Sequence, residues 1–155
     1  MLSRGDVLST VRMVREENLD VRTVTLGINL LVCANPDPDA LVKAVHDRVV
    51  EKAGPMVAFC DEISAKYGMP IVNKRIAVSP VSQILEGHGV ETAVRVCKAL
   101  DQAACEVGID LLGGYSALVQ KGMTPGERTL IESLPLALKE TGRVCASFNV
   151  GSTKA

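Results

Sequence analysis

Tryptophan is absent from this chain of 155 residues, and the aromatic set is limited to two Phe and two Tyr. Any core must therefore be aliphatic, and hydrophobic residues, at 47% of the chain, are numerous enough to build one. A surplus of either charge is also missing: 17 Lys and Arg against 18 Asp and Glu leave a formal net charge of −1. Without a basic surplus or stripe there is no electrostatic footprint for a nucleic acid, which argues against that partner. Histidine occurs only at His46 and His88, so a metal site is not expected.

No apolar run approaches the roughly 20 residues that span a bilayer. The opening Met1-Leu2-Ser3-Arg4-Gly5-Asp6 lacks the apolar segment of a secretory signal. The expectation is a soluble, cytoplasmic protein that makes no membrane contact. Five cysteines are present, Cys33, Cys60, Cys97, Cys105 and Cys145, an odd number with no Cys-x-x-Cys. They read as free thiols in a reducing compartment, most of them buried. Also lacking are Gly-x-Gly-x-x-Gly, a P-loop and His-Glu-x-x-His, so no cofactor is implied.

What is present is a regular alternation of helix and strand signals. A helix is expected over residues 3–18, opened by Ser3 with Asp6 as a capping box and striped by Val7, Val11 and Val14. In the strand over 21–31, Val24, Leu26, Ile28 and Leu30 alternate with Thr23, Thr25, Gly27 and Asn29. A strand with one small polar face suits a sheet edge or a barrel wall beside a cavity. Asp37-Pro38 starts a long helical region in which Leu41, Val45, Val49 and Ala53 form one stripe. Gly54-Pro55 breaks it, and Met56, Phe59, Ile63 and Tyr67 continue the apolar spacing as far as Gly68. Strands over 71–79, 109–115 and 143–150 alternate with helices over 90–107 and from Thr124-Pro125 onwards, the last of these bent at Pro135. Strands separated by helices run parallel. The fold class is therefore α/β, with four parallel strands in one domain over residues 1–155.

Parallel strands place their carboxyl ends, and hence a ligand site, on one side. Residues 113–122, Gly113-Gly114-Tyr115-Ser116-Ala117-Leu118-Val119-Gln120-Lys121-Gly122, read as such an end running into a loop. The candidate ligand-binding residues gathered this way are Asn73, Arg75, Ser79, Ser116, Gln120, Lys121, Asn149, Ser152, Thr153 and Lys154. Hydroxyls, amides and two lysines beside glycines suit a small anion, a carboxylate or a phosphate. Two readings of Asn73-Lys74-Arg75 stay open. Either this is a strand end or an edge with its charges in water, or Asn73 and Arg75 face a polar cavity on alternate positions. His88, between two glycines, reads either as a titrating group or as an ordinary surface histidine. Gly114-Tyr115-Ser116-Ala117-Leu118 is similar to a nucleophile elbow, but Leu118 replaces the second glycine and no histidine follows, so a Ser-His triad is not expected.

Four longer stretches resemble a known family: residues 12–28, Arg12-Met13-Val14-Arg15-Glu16-Glu17-Asn18-Leu19-Asp20 through Val21-Arg22-Thr23-Val24-Thr25-Leu26-Gly27-Ile28; Pro70-Ile71-Val72-Asn73-Lys74-Arg75-Ile76; residues 113–122; and Asn149-Val150-Gly151-Ser152-Thr153-Lys154. The family is the uncharacterised "PFL family protein" group, domain-of-unknown-function family seven hundred and eleven. The resemblance implies a barrel-like α/β fold similar to pyruvate formate-lyase and other glycyl radical enzymes. It also implies that these residues are the amino-terminal portion of a longer barrel. Radical chemistry is not implied, because Ala146 in Arg143-Val144-Cys145-Ala146 stands where a radical-bearing glycine would be needed. Two functions compete. One is an enzyme or enzyme part that binds a small anionic metabolite. The other is a non-catalytic module that pairs, as a homo-oligomer or with the rest of the barrel, through an uncovered last strand carrying Val144, Phe148 and Val150.

Overall fold

The computed structural model describes residues 3–17 and 20–151. Its elements, in chain order, are α1 (Arg4–Arg15), β1 (Val21–Ile28), α2 (Pro38–Ala53), α3 (Met56–Tyr67), β2 (Ile71–Val78), α4 (Val90–Glu106), β3 (Leu111–Leu118), α5 (Pro125–Lys139) and β4 (Val144–Asn149). Short 3-10 turns at Leu31–Cys33 and Val81–Ile84 follow β1 and β2.

Local chemistry sets the helix starts. The Ser3 hydroxyl accepts from the Asp6 amide and the Asp6 carboxylate accepts from the Ser3 amide, a reciprocal cap. Thr124 and Glu127 repeat it at α5, with Pro125 in the first turn. Asp37 caps α2 ahead of Pro38. Gly54-Pro55 divides α2 from α3, and Gly68, left-handed at φ 66°, ends α3. Pro135 lies inside α5, which continues to Lys139.

The four strands are parallel and ordered β1-β2-β3-β4, so each crossover moves over by one strand. α2 lies beside α4 and α4 beside α5, all on one face of the sheet. The core fills that interface. Leu41, Val45 and Val49 of α2, Cys97 and Leu100 of α4 and Leu130 of α5 are buried against Ile76, Leu112, Tyr115 and Ala117. The Tyr115 hydroxyl donates to the Ala93 carbonyl and shares a hydrogen bond with Ser133, so the one large aromatic in the core leaves no polar atom stranded.

Three expectations change. β3 begins at Leu111 and runs to Leu118, so residues 113–118 lie within the strand and not in a loop. In the stripe of α1 Val7 and Val11 are exposed and Val14 is half-buried; no residue of the helix is fully buried. In α3 only Met56 and Cys60 are buried, and Phe59, Ile63 and Tyr67 face outwards. The buried spacing runs from Ala53 through Met56 to Cys60, and Phe59, Ile63 and Tyr67 lie on the flank beside it. All five cysteines are free: Cys33, Cys60 and Cys97 are buried, Cys105 and Cys145 exposed. Among the described residues no helix is long and apolar enough to cross a membrane.

Candidate functional site: the open face of the sheet

Alternation along the strands separates two faces. Leu26 and Ile28, Ile76 and Val78, Leu112 and Ala117, and Val144 and Ala146 turn to the helices. Thr23, Thr25 and Gly27, Asn73, Arg75 and Ala77, Gly113, Ser116, Cys145, Ser147 and Asn149 turn the other way. Directly paired residues of a parallel sheet share a face, so the register gives the composition of each level. Gly27 pairs with Ala77, Ala77 with Gly113, and Gly113 with Cys145. Four adjacent strands thus put nothing larger than a thiol at one height, a shelf roughly 15 Å wide at about 4.8 Å per strand spacing. Below it stand Thr25, Arg75 and Leu111, paired in that order. Above it stand Ser116 and Ser147.

A bulge at Gly114 sets the upper wall. The register slips between Gly113 and Tyr115, so that Tyr115 pairs with Ala146 and turns inward to Ser133, while Ser116 pairs with Ser147 on the open face. Gly114 holds φ 119°, and a Cβ there would lie 2.4 Å from the Val78 carbonyl oxygen. Only glycine fits. Ser116 accordingly sits in a strand, its hydroxyl donating to the Gly114 carbonyl at 3.3 Å, and not at the strand-to-helix turn that a nucleophile elbow requires.

The ten candidate residues divide into groups. Arg75, Ser116 and Asn149 share the open face with Asn73, whose amide donates to the Arg22 carbonyl at 3.0 Å. β2 is an inner strand and not an edge, but its ladder with β3 begins only at Arg75, so Asn73 and Lys74 lie towards the strand end; Lys74 turns to the helix side and pairs with Asp61 at 3.1 Å. The Arg75 Nε is buried with no hydrogen-bond partner among the described residues. The Ser79 hydroxyl accepts from the Leu30 amide at 3.0 Å and its own amide donates to Ile28, clasping the end of β1 to that of β2; accepting that bond leaves the hydroxyl proton to donate. Lys121 is exposed just beyond β3, and the Gln120 Oε1 beside it is buried with no hydrogen-bond partner among the described residues. Ser152, Thr153 and Lys154 lie outside the described residues.

The rim above the shelf is braced. The Glu127 carboxylate accepts from the Leu118 and Thr124 amides at 3.1 and 2.9 Å, joining β3 to α5. Glu86 accepts from the Gly126 amide, and the His88 Nε2 meets the Asn35 carbonyl at 2.9 Å, so that histidine is a strut between the loops after β1 and β2. Burial pushes the thiol of Cys97 up to about 11 and raises that of Cys33; both lie on the helix side. Sequence reasoning placed Thr25 and Gly27 on a small polar face, but Ser147 as a site residue and the shelf itself escaped it. Their signal lies in the pairing of strands, which one strand read alone does not contain.

Comparison with known proteins identifies the lineage. Residues 12–155 match the model of the family described as "Uncharacterised ACR (DUF711)". The chain belongs to that family. Curated relatives of this DUF711 chain include a "UPF0210 protein" from Oleidesulfovibrio alaskensis, 51% identical over all 155 residues, and one from Desulfovibrio desulfuricans at 50%. A third, from Ligilactobacillus salivarius, is 48% identical over 154 residues. The chain spans about a third of the length of each, 34% as matched. The family description carries no activity, so the chemistry of the site rests on its residues.

Proposed function

We propose that the open face is one wall of a larger α/β barrel, of the kind that the likeness to glycyl radical enzymes implies. On it, a small anionic metabolite, a carboxylate or a phosphate, is held between Arg75 and the hydroxyls of Ser116 and Ser147. Two features support the barrel. Sequential parallel strands with helices on a single face are the wound pattern of closed barrels, whereas doubly wound sheets are covered on both faces. The longer relatives also contain the chain needed to close one. The observation that carries ligand binding is the shelf from Gly27 to Cys145, with the unpaired Arg75 Nε along its lower side. Arginine recognises carboxylate and phosphate through paired hydrogen bonds, and small residues let a ligand lie close to the backbone. Asn149, Gln120 and Lys121 stand towards the upper rim, and the lysine supplies a second cation there. Ala146 faces the helices, so the stretch Arg143-Val144-Cys145-Ala146 contributes no radical-bearing glycine to this wall.

The test is thermal melting of the chain against a panel of carboxylates and inorganic phosphate. A ligand at a hundred times its dissociation constant stabilises by about 2.7 kcal/mol, a rise of several degrees. Arg75→Ala abolishes that rise while leaving the unliganded midpoint nearly unchanged. A flat response to the whole panel sinks the ligand reading. A flat response together with a stable oligomer in sedimentation favours the non-catalytic module, for which the exposed Val150 after β4 is the supporting observation.

A further inference from the structure

The outer side of β1 differs from the open face. β1 ends the sheet, so one row of its main-chain groups has no strand partner among the described residues. Beside that edge, on the helix side, runs a groove. A cavity of about 430 Å³ between Val24 and Leu26 of β1 and Phe59 of α3 shares Ile63 with a second, of about 530 Å³, between α3 and Val7 and Val11 of α1. Phe59 is 60% exposed and Ile63 49%, although both belong to a helix whose Met56 and Cys60 are buried. A monomer rarely leaves a free strand edge and a continuous apolar groove side by side. The pair has the shape of a missing unit: every strand further into the sheet has a parallel neighbour at its edge and a helix packed beside it.

We propose that the β1 edge and the groove receive one more strand–helix unit, the strand extending the sheet next to β1 and the helix seating its apolar stripe on Phe59 and Ile63. The unit comes from the part of the longer family members that lies outside these residues. Chain of sufficient length exists there, since the matched relatives devote only 34% of their sequence to the portion aligned here. A second copy of the chain is the competing occupant. It supplies no parallel strand unless its own sheet edge is used, and that arrangement would appear as a dimer. The inference shares with the proposed function the reading of a larger barrel and is independent of any ligand.

Amide hydrogen exchange tests it. The chain alone is compared with a chimera in which it replaces the matched third of the Oleidesulfovibrio alaskensis protein, with that protein itself as a control. In the chimera, amides of Val21–Ile28 are expected to exchange about tenfold or more slowly than in the chain alone. Phe59→Asp with Ile63→Asp returns them to the faster rate in the chimera, while the melting midpoint of the chain alone barely moves because both side chains are exposed. If that double variant prevents the chimera from folding, Phe59→Ala is expected to give a partial loss of protection. Equal β1 exchange in the two proteins overturns the proposal, as does an equal effect of the variants on both. So does a dimer of the chain alone with β1 already protected, which would assign the surface to a second copy. Anion binding by the chain is unaffected by any of these outcomes, so the two proposals fail separately.

Discussion

Arg75 and Ile76 are neighbours in β2, as are Leu112 and Gly113 in β3, yet each pair divides between two environments. Ile76 and Leu112 are sealed beneath α2, α4 and α5. Arg75 and Gly113 face away from every helix packed on the sheet. The helix face is aliphatic and close-packed, while the open face is polar and built from small side chains. Under the proposed function, stability and recognition fall to alternate residues of the same strands. Changes on the open face can alter a ligand without loosening the core.

Substitutions can break that comparison or sharpen it. The largest effect is expected at Leu112, fully buried between sheet and helices. Leu112→Ala should cost roughly 2–5 kcal/mol in chemical unfolding. An effect below about 1 kcal/mol would mean that the helix face is not the stabilising one. Gly114→Ala comes next. Its strained backbone alone costs about 1–3 kcal/mol, and the collision with Val78 adds to that.

Alkali probes the same face by charge. Burial raises the Cys97 thiol from 9.0 to about 11, so the native state holds its proton more tightly than the unfolded chain does. The contribution is present in full below pH 9 and is lost as pH rises towards 11. Cys97→Ala should flatten the fall in melting midpoint over that window; an unchanged slope would remove the thiol from the explanation. The smallest effects belong to the open face. A Cβ on Gly113 meets nothing within 4 Å. Gly113→Ala and Arg75→Ala should each change stability by no more than about 0.5 kcal/mol while weakening anion binding. A large destabilisation by either would show that the open face also supports the fold.

Much of the fold was legible in the residues. Ser3 with Asp6, Asp37-Pro38, Gly54-Pro55 and Thr124 with Glu127 each carry a local rule, and the alternation in β1 divided its two faces correctly. Legibility ended where partners decide. The apolar spacing of α1 and α3 marks one side of each helix but does not name what covers it, and Val7, Phe59 and Ile63 lie on such a side yet face outwards. A hydroxyl at a strand end reads as a donor, but the residues alone do not show that the Ser79 oxygen also accepts from the Leu30 amide. The Gly113-Gly114 pair signals an irregularity without saying which glycine carries it. That depends on the approach of Val78 from the neighbouring strand.

The slip at Gly114 makes the number of residues between Leu112 and Ala117 matter as much as their identities. The loss of Gly114 alone would restore plain alternation and leave Tyr115 opposite Ala146, whereas trimming a second residue would swing the phenol onto the shelf and drive the Ser116 hydroxyl into oil. A natural loss of one residue in this segment should therefore fall at the bulge.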